Sequence, residues 1–171
     1  TRGVMVFQVL NMTINTDDYK QALTKYATGV TVVTTHYAGK PIGITATSFS
    51  SLSVDPPLVL VSLNKKLFTH TVIAESGVFA VNVLGVHQQE LGMLFAGMMP
   101  QVADRFAGLA VATAVTGCPL LPHSLAWFDC RVWAAYDGGD HTIYLGRVVE
   151  GTIVGDAPPL LYYQGSYRTI A

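Results

Sequence analysis

Hydrophobic and polar positions along the chain change period several times, and these changes divide it into short elements. Thr16-Asp17-Asp18 opens a helix, with a capping hydroxyl or carboxylate and acids in the first turn. Tyr19, Ala22, Leu23, Tyr26 and Ala27 follow at i, i+3, i+4, i+7 and i+8, which predicts one buried face. Gly29 is placed as the left-handed cap that ends this helix. Residues 30–35 are β-branched throughout and predict a strand. Residues 37–41 turn the chain back, so residues 42–64 form the second arm of a hairpin. Asp55-Pro56-Pro57 interrupts that arm, because the prolines fix φ and remove two backbone donors. The apolar run 58–63 then resumes as a strand. Leu67, Val72, Ile73 and Ala74 predict a helix ending at Gly77. A strand over 78–84 follows, then a short amphipathic helix over 87–96 with Leu91, Leu94 and Phe95 inward.

Residues 97–117 carry few sure elements. From Ala126 to Tyr136 the pattern alternates: Phe128, Cys130, Val132 and Tyr136 on one face, Trp127, Asp129, Arg131 and Trp133 on the other. The tryptophans beside a charged pair suggest a subunit interface. Asp137-Gly138-Gly139-Asp140 is a hairpin turn, with 141–154 as the return strand. Pro158-Pro159 breaks the chain before 160–163, and Gln164-Gly165-Ser166-Tyr167-Arg168 closes it. The class this predicts is mainly β: antiparallel hairpins with a few helices packed on them. A closed or partly closed barrel suits a chain that cannot leave apolar sheet edges exposed.

Composition sharpens the picture. Half of the 171 residues are hydrophobic and only 12% are charged, against roughly 25% in an ordinary soluble domain. Little polar surface is available to a monomer, so an oligomer burying an apolar face is expected. A net charge of -1 supplies no basic field for nucleic acid or anionic membrane. Cys118 and Cys130 lie too far apart for a CxxC site and are expected to be free buried thiols in a cytoplasmic protein. No histidine stands in metal-ligand spacing with another His or Cys, so no metal site is expected. The apolar residues 1–11 read as a conceivable secretory signal, or as extra sequence ahead of a start at Met12.

Candidate chemistry gathers around residues 42–64. Thr45, Thr47, Ser48, Ser50, Ser51 and Ser53 crowd its first half. Hydroxyls and free backbone N–H groups at a strand end suit an acceptor-rich ligand such as a flavin, and Gly43 and Ala46 are small enough to admit a flat ring. A Ser/Thr-rich edge strand beside a turn accounts for the same residues. Ser62, Lys65, Lys66 and Thr69 sit where a strand end meets a helix start, a place that attracts anions; a solvated lysine pair is the plainer reading. Arg105 either clamps a phosphate or carboxylate or pairs with Asp104. Neither Gly-x-Gly-x-x-Gly nor a Gly-Lys-Ser/Thr loop occurs, which disfavours a Rossmann fold and a P-loop.

Several stretches, in order, carry a resemblance. They are residues 26–34 (Tyr-Ala-Thr-Gly-Val-Thr-Val-Val-Thr), 43–49 (Gly-Ile-Thr-Ala-Thr-Ser-Phe), 53–57 (Ser-Val-Asp-Pro-Pro), Asp104-Arg105-Phe106, 140–143 (Asp-His-Thr-Ile) and 165–168 (Gly-Ser-Tyr-Arg). From Tyr19 to Arg168 the chain resembles the short-chain flavin reductases, the reductase components of two-component flavin-dependent monooxygenases. The resemblance implies an FMN-binding split barrel over residues 16–171, residues 1–15 being an extension outside the pattern. It implies a homodimer that moves hydride from NADH or NADPH to FMN or FAD and releases reduced flavin to a separate monooxygenase. Carried over, Thr45, Ala46, Thr47 and Ser48 line the isoalloxazine and ribityl chain. The span from Ser62 through Leu63, Asn64 and Lys65 to Thr69 meets the phosphate and tail, Arg105 and Phe106 add a tail contact, His141 sits by the nicotinamide, and Tyr167 and Arg168 close the pocket. A flavin electron carrier, or an oxidase of the pyridoxamine-phosphate type, is the competing reading.

Overall fold

The β-branched run after the first helix, residues 30–35, is buried throughout. The computed structural model describes residues 14–170, so the extension expected over residues 1–15 lies almost wholly outside the described residues. The strands are β1 (Thr28–Gly29), β2 (Thr31–Tyr37), β3 (Lys40–Ala46), β4 (Ser50–Ser53), β5 (Leu58–Asn64), β6 (Val78–Val83), β7 (Ala126–Gly138), β8 (His141–Ile153), β9 (Leu161–Tyr163) and β10 (Ser166–Arg168). Seven pair antiparallel in the order β3-β2-β6-β7-β8-β5-β4, and β1, β9 and β10 form a small second sheet. The helices are α1 (Thr16–Leu23), α2 (Phe68–Ser76) and α3 (Gln89–Phe95).

Thr31 to Thr35 of β2 are all buried. The strand survives this because each threonine hydroxyl finds a carbonyl: Thr31 donates to Ala46 O at 2.8 Å, Thr34 to Pro119 O at 2.6 Å and Thr35 to Val78 O at 3.0 Å. The sheet curls so that Val33, Ala46, Val59, Val61, Leu63, Phe79, Val81, Cys130 and Tyr144 meet inside it, with Ile73 of α2 in the same cluster. Gly146 faces this interior, where any side chain would fall on the Phe79 ring. The outer side of β2 and β6 is covered by α3 and the 97–125 segment, in two further clusters around Leu84, Phe95 and Leu160 and around Cys118 and Leu120. β3 and β4 remain the two edges of the sheet. The barrel is therefore mainly β, antiparallel and only partly closed.

Several expectations change. Asn15, not Thr16, caps α1: its side chain accepts from Asp17 N at 3.0 Å and Asp18 N at 2.8 Å. The helix stops at Leu23, with Thr24 as its C-cap. Gly29 instead lies in β1 opposite Leu161. No residue of α1 is buried, so its apolar stripe faces outward. The proline corner is the turn of a hairpin, because residues 50–53 pair with β5; polar Ser-Ser-Leu-Ser hides that strand from a hydrophobicity scan. The alternation in β7 also fails. Register shifts at Asp129/Cys130 and Val132/Ala134 bury both Asp129 and Cys130. Asp129 accepts from Thr116 N at 2.8 Å and from the Thr116 hydroxyl, which leaves no Asp129–Arg131 pair beside the tryptophans.

Candidate functional site

Strand β5 alternates cleanly, with Val59, Val61 and Leu63 inside the barrel and Ser62 and Asn64 on its other face. Opposite it, β3 ends at Ala46 with one edge unpaired. Every second residue of such an edge aims its N–H and C=O away from the ladder. Between the two strands lies a cleft of about 210 Å³, lined by residues 44–48, Ser62, Leu63, Asn64, Leu67 and His141. The barrel's split is thus also a source of free backbone donors.

The hydroxyls there are not equivalent. Thr45 Oγ1 donates to Gly92 O at 2.7 Å and fastens α3. Ser48 Oγ is committed to the Ser62 backbone. Thr47 is exposed; its hydroxyl and that of Ser62 make no side-chain hydrogen bond among the described residues, and both face the cleft. Of the small residues, Ala46 lines this cleft and Gly43 the one beside it, but both also serve the packing beneath them. Ala46 points into the barrel core, and a Cβ at Gly43 would come within 2.8 Å of the Phe95 ring. Gly43 makes room for Phe95 and Phe106, which pack edge to face at 4.9 Å.

A neighbouring cleft of about 410 Å³ shares Ile44 and Leu67 with the first and adds Phe68, Thr69, Asp104, Arg105 and Phe106. The N-cap of α2 is Leu67, which offers no capping side chain; His70 N donates to Leu67 O at 3.1 Å, and the Phe68 and Thr69 N–H groups are left for a ligand. Asp104 accepts from Phe106 N at 2.9 Å, and Arg105 donates to Phe95 O at 3.3 Å; no ion pair links Asp104 to Arg105 among the described residues. Arg105 is held beside the cleft by the bond its guanidinium donates to the Phe95 carbonyl.

His141 follows the β7–β8 turn and lies opposite Asn64. Its Nδ1 is 2.7 Å from Asp140 Oδ1, and the imidazole holds the Asp140 carboxyl below the usual carboxylate range. That bond leaves Nε2 as the ring atom free for a ligand. Asp140 was missing from the expected site, since Asp beside Gly-Gly reads as turn chemistry. Lys65 is placed differently from expectation: its Nζ lies 2.6 Å from Asp137 Oδ2 and 2.6 Å from Gly139 O. Tyr167 packs with Leu160 and lies edge to face with Tyr162 at 5.4 Å, while Arg168 is exposed on β10. Neither lines the two clefts. The structure therefore brings together Thr45 to Ser48, Ser62 to Asn64 and His141, sets Thr69, Arg105 and Phe106 next door, and leaves Tyr167 and Arg168 apart.

A family model described as a flavin reductase like domain matches residues 23–171. The chain is 39% identical over 152 residues to the reductase subunit HsaB of a flavin-dependent monooxygenase from Rhodococcus jostii (strain RHA1), covering 89% of this chain and 76% of that one. It is 36% identical over 153 residues to the FMN reductase (NADH) RutF of Agrobacterium fabrum, covering 90% and 87%. The crystal structure of nitrilotriacetate monooxygenase component B from Mycobacterium thermoresistibile superposes with a TM-score of 0.86 at 37% identity, over 91% of this chain and 86% of that one.

Proposed function

The chain belongs to the flavin reductase like domain family, and from that premise we propose that it transfers hydride from NADH to FMN and releases reduced flavin to a separate monooxygenase component. The observation that carries the reading is the cleft between β3 and β5, where an unpaired strand edge, the Thr47 and Ser62 hydroxyls, Asn64 and His141 converge. This donor set fits the acceptor-rich edge of an isoalloxazine. When bound, the flavin supplies the two-electron chemistry. Residues 45–48 hold the ring edge through backbone groups, and their N–H groups favour negative charge there. Thr69, Arg105 and the open N-terminus of α2 hold the phosphate end. His141, oriented by Asp140, contacts the nicotinamide carboxamide through Nε2. Placement of the two rings, rather than acid–base work, is what these residues contribute.

FMN as the flavin and NADH as the donor follow from the likeness to RutF, an FMN reductase (NADH), and a monooxygenase partner from the likeness to HsaB, a monooxygenase reductase subunit. A homodimer accounts for the outward apolar surface of α1 and the turn after it, where Tyr19 and Leu23 are each 52% exposed and Tyr26 is 74% exposed. No helix among the described residues is long and apolar enough to cross a membrane. The free thiols Cys118 and Cys130 suit a reducing cytoplasm. Anaerobic addition of NADH or NADPH to the protein with excess FMN or FAD tests the reading. Many turnovers of flavin bleaching, fastest with NADH and FMN, are expected; a single stoichiometric reduction would indicate an electron carrier instead.

A further inference from the structure

Lys65 sits at the end of β5, and its three bonds all go to one place. Its backbone N donates to Asp140 O at 3.0 Å. Its ammonium reaches Asp137 Oδ2 and Gly139 O, both at 2.6 Å. Asp137 Oδ1 in turn accepts from Gly139 N at 3.1 Å. The hairpin tip it grips is otherwise weakly determined: residues 137–140 are all exposed, two are glycines, and Gly139 has φ +79. Directly after this tip comes His141, which lines the cleft. An ammonium already held by a carboxylate and a carbonyl is poorly placed to serve a ligand phosphate.

We propose that Lys65 is a positioning residue: it pins the β7–β8 hairpin tip to the end of β5 and thereby sets where His141 meets the nicotinamide. The inference rests on the reading of His141 given above. Its geometry also explains why the contact is made from a strand end. Leu63, two residues earlier, is anchored in the barrel core, so the rigid barrel fixes an otherwise free turn. Exposed ion pairs are screened by salt, so raising the ionic strength should loosen the tip as removal of the lysine does.

The test compares Lys65→Met, Asp137→Asn and the double variant, each in wild-type and His141→Ala backgrounds. Steady-state NADH kinetics, binding of FMN and of riboflavin, and amide hydrogen exchange at residues 138–141 are measured. Each single variant is expected to speed exchange at the tip and raise KM for NADH roughly two- to fivefold with little change in kcat. The double variant should be no worse than either single one. In the His141→Ala background the KM effect should vanish. Unchanged exchange in both single variants overturns the proposal. So does a Lys65→Met enzyme that loses FMN but keeps riboflavin while Asp137→Asn is silent, since that assigns the ammonium to the phosphate. If His141→Ala itself leaves NADH kinetics untouched, the nicotinamide role of His141 falls, and tip exchange alone then decides the pin, faster exchange upholding it.

Discussion

The hydroxyl of Ser48 does for Ser62 what a neighbouring strand would do: it donates to Ser62 O at 2.8 Å and accepts from Ser62 N at 3.1 Å. One side chain thus stitches the open seam of the barrel where β3 has ended and the β4 ladder, which stops at Leu60, does not reach Ser62. Ser48→Ala removes both bonds at a half-buried site, with an expected loss of about 1–3 kcal/mol. The seam also borders the cleft proposed to hold flavin, so weaker flavin binding should accompany the lower stability. Urea unfolding and flavin titration on the same variant check this. A variant with wild-type stability would mean that water replaces the hydroxyl at no cost.

Asn82 is fully buried in β6, and its amide is used on all sides. Nδ2 donates to Val32 O at 3.1 Å and Thr34 Oγ1 at 3.2 Å, and Oδ1 accepts from Leu121 N at 2.8 Å. It ties the 117–121 segment to the outer face of the sheet, over Leu84 and Phe95. Asn82→Leu leaves the Leu121 N–H without its partner, and a cost of at least about 1–3 kcal/mol is expected. Because the segment does not border the cleft, NADH and flavin affinities of the surviving folded protein should stay near wild type. Parallel denaturation and kinetic measurements separate the two effects.

These two residues show where sequence reasoning reaches and where it stops. Hairpins with strong turns were legible: Ala38 and Gly39 adopt the positive φ of a tight turn, and Gly77 caps α2 in the left-handed region as expected. The hydroxyl-rich stretch stood out as a candidate site only beside the family resemblance, because a Ser/Thr-rich edge strand accounts for the same residues. Which hydroxyls were free was not legible. Thr45 and Ser48 look like Thr47 in the sequence, and only tertiary contacts with Gly92 and Ser62 remove them. Bulges in β7 were invisible too, since a single unpaired residue leaves composition unchanged while turning Asp129 inward. Lys65 read as an anion ligand because its ion-pair partner lies seventy-two residues away.

Burial pushes the Cys118 thiol up to about 11 and the Cys130 thiol higher still. A group whose folded-state pKa is raised adds stability that is complete below its ordinary value, here 9.0. That stability is lost as pH rises through the folded value. Stability should therefore be flat up to about pH 9 with respect to these thiols and decline above it, the Cys118 share being lost by about pH 11 and the Cys130 share continuing beyond. Both thiols should also resist a thiol-specific chromogenic reagent in the native state and react after denaturation. Cys130 is enclosed in the barrel core and Cys118 in the cluster on its outer side, each with no exposed surface. Fast labelling of either cysteine in folded protein at neutral pH would contradict that burial.

The outward stripe on α1 yields the last prediction. Leu23 lies beside Tyr26, Thr28, Thr47 and Tyr162 around a cleft of about 360 Å³, which shares Thr47 with the cleft proposed to hold flavin. An exposed leucine contributes little to the fold of one chain, and Leu23→Glu should alter its stability by no more than about 0.5 kcal/mol. Placing a carboxylate in a subunit interface is far costlier, since the charge must be desolvated on association. Sedimentation should therefore show Leu23→Glu shifting from dimer to monomer while its circular dichroism stays native. Trp133→Ala, 53% exposed in the wild type and stacked under Arg147 at 5.8 Å, should remain dimeric. Loss of flavin affinity in the monomeric variant is expected as well, because Thr47 borders both clefts. A Leu23→Glu protein that stays dimeric would move the interface to the sheet face around Trp133.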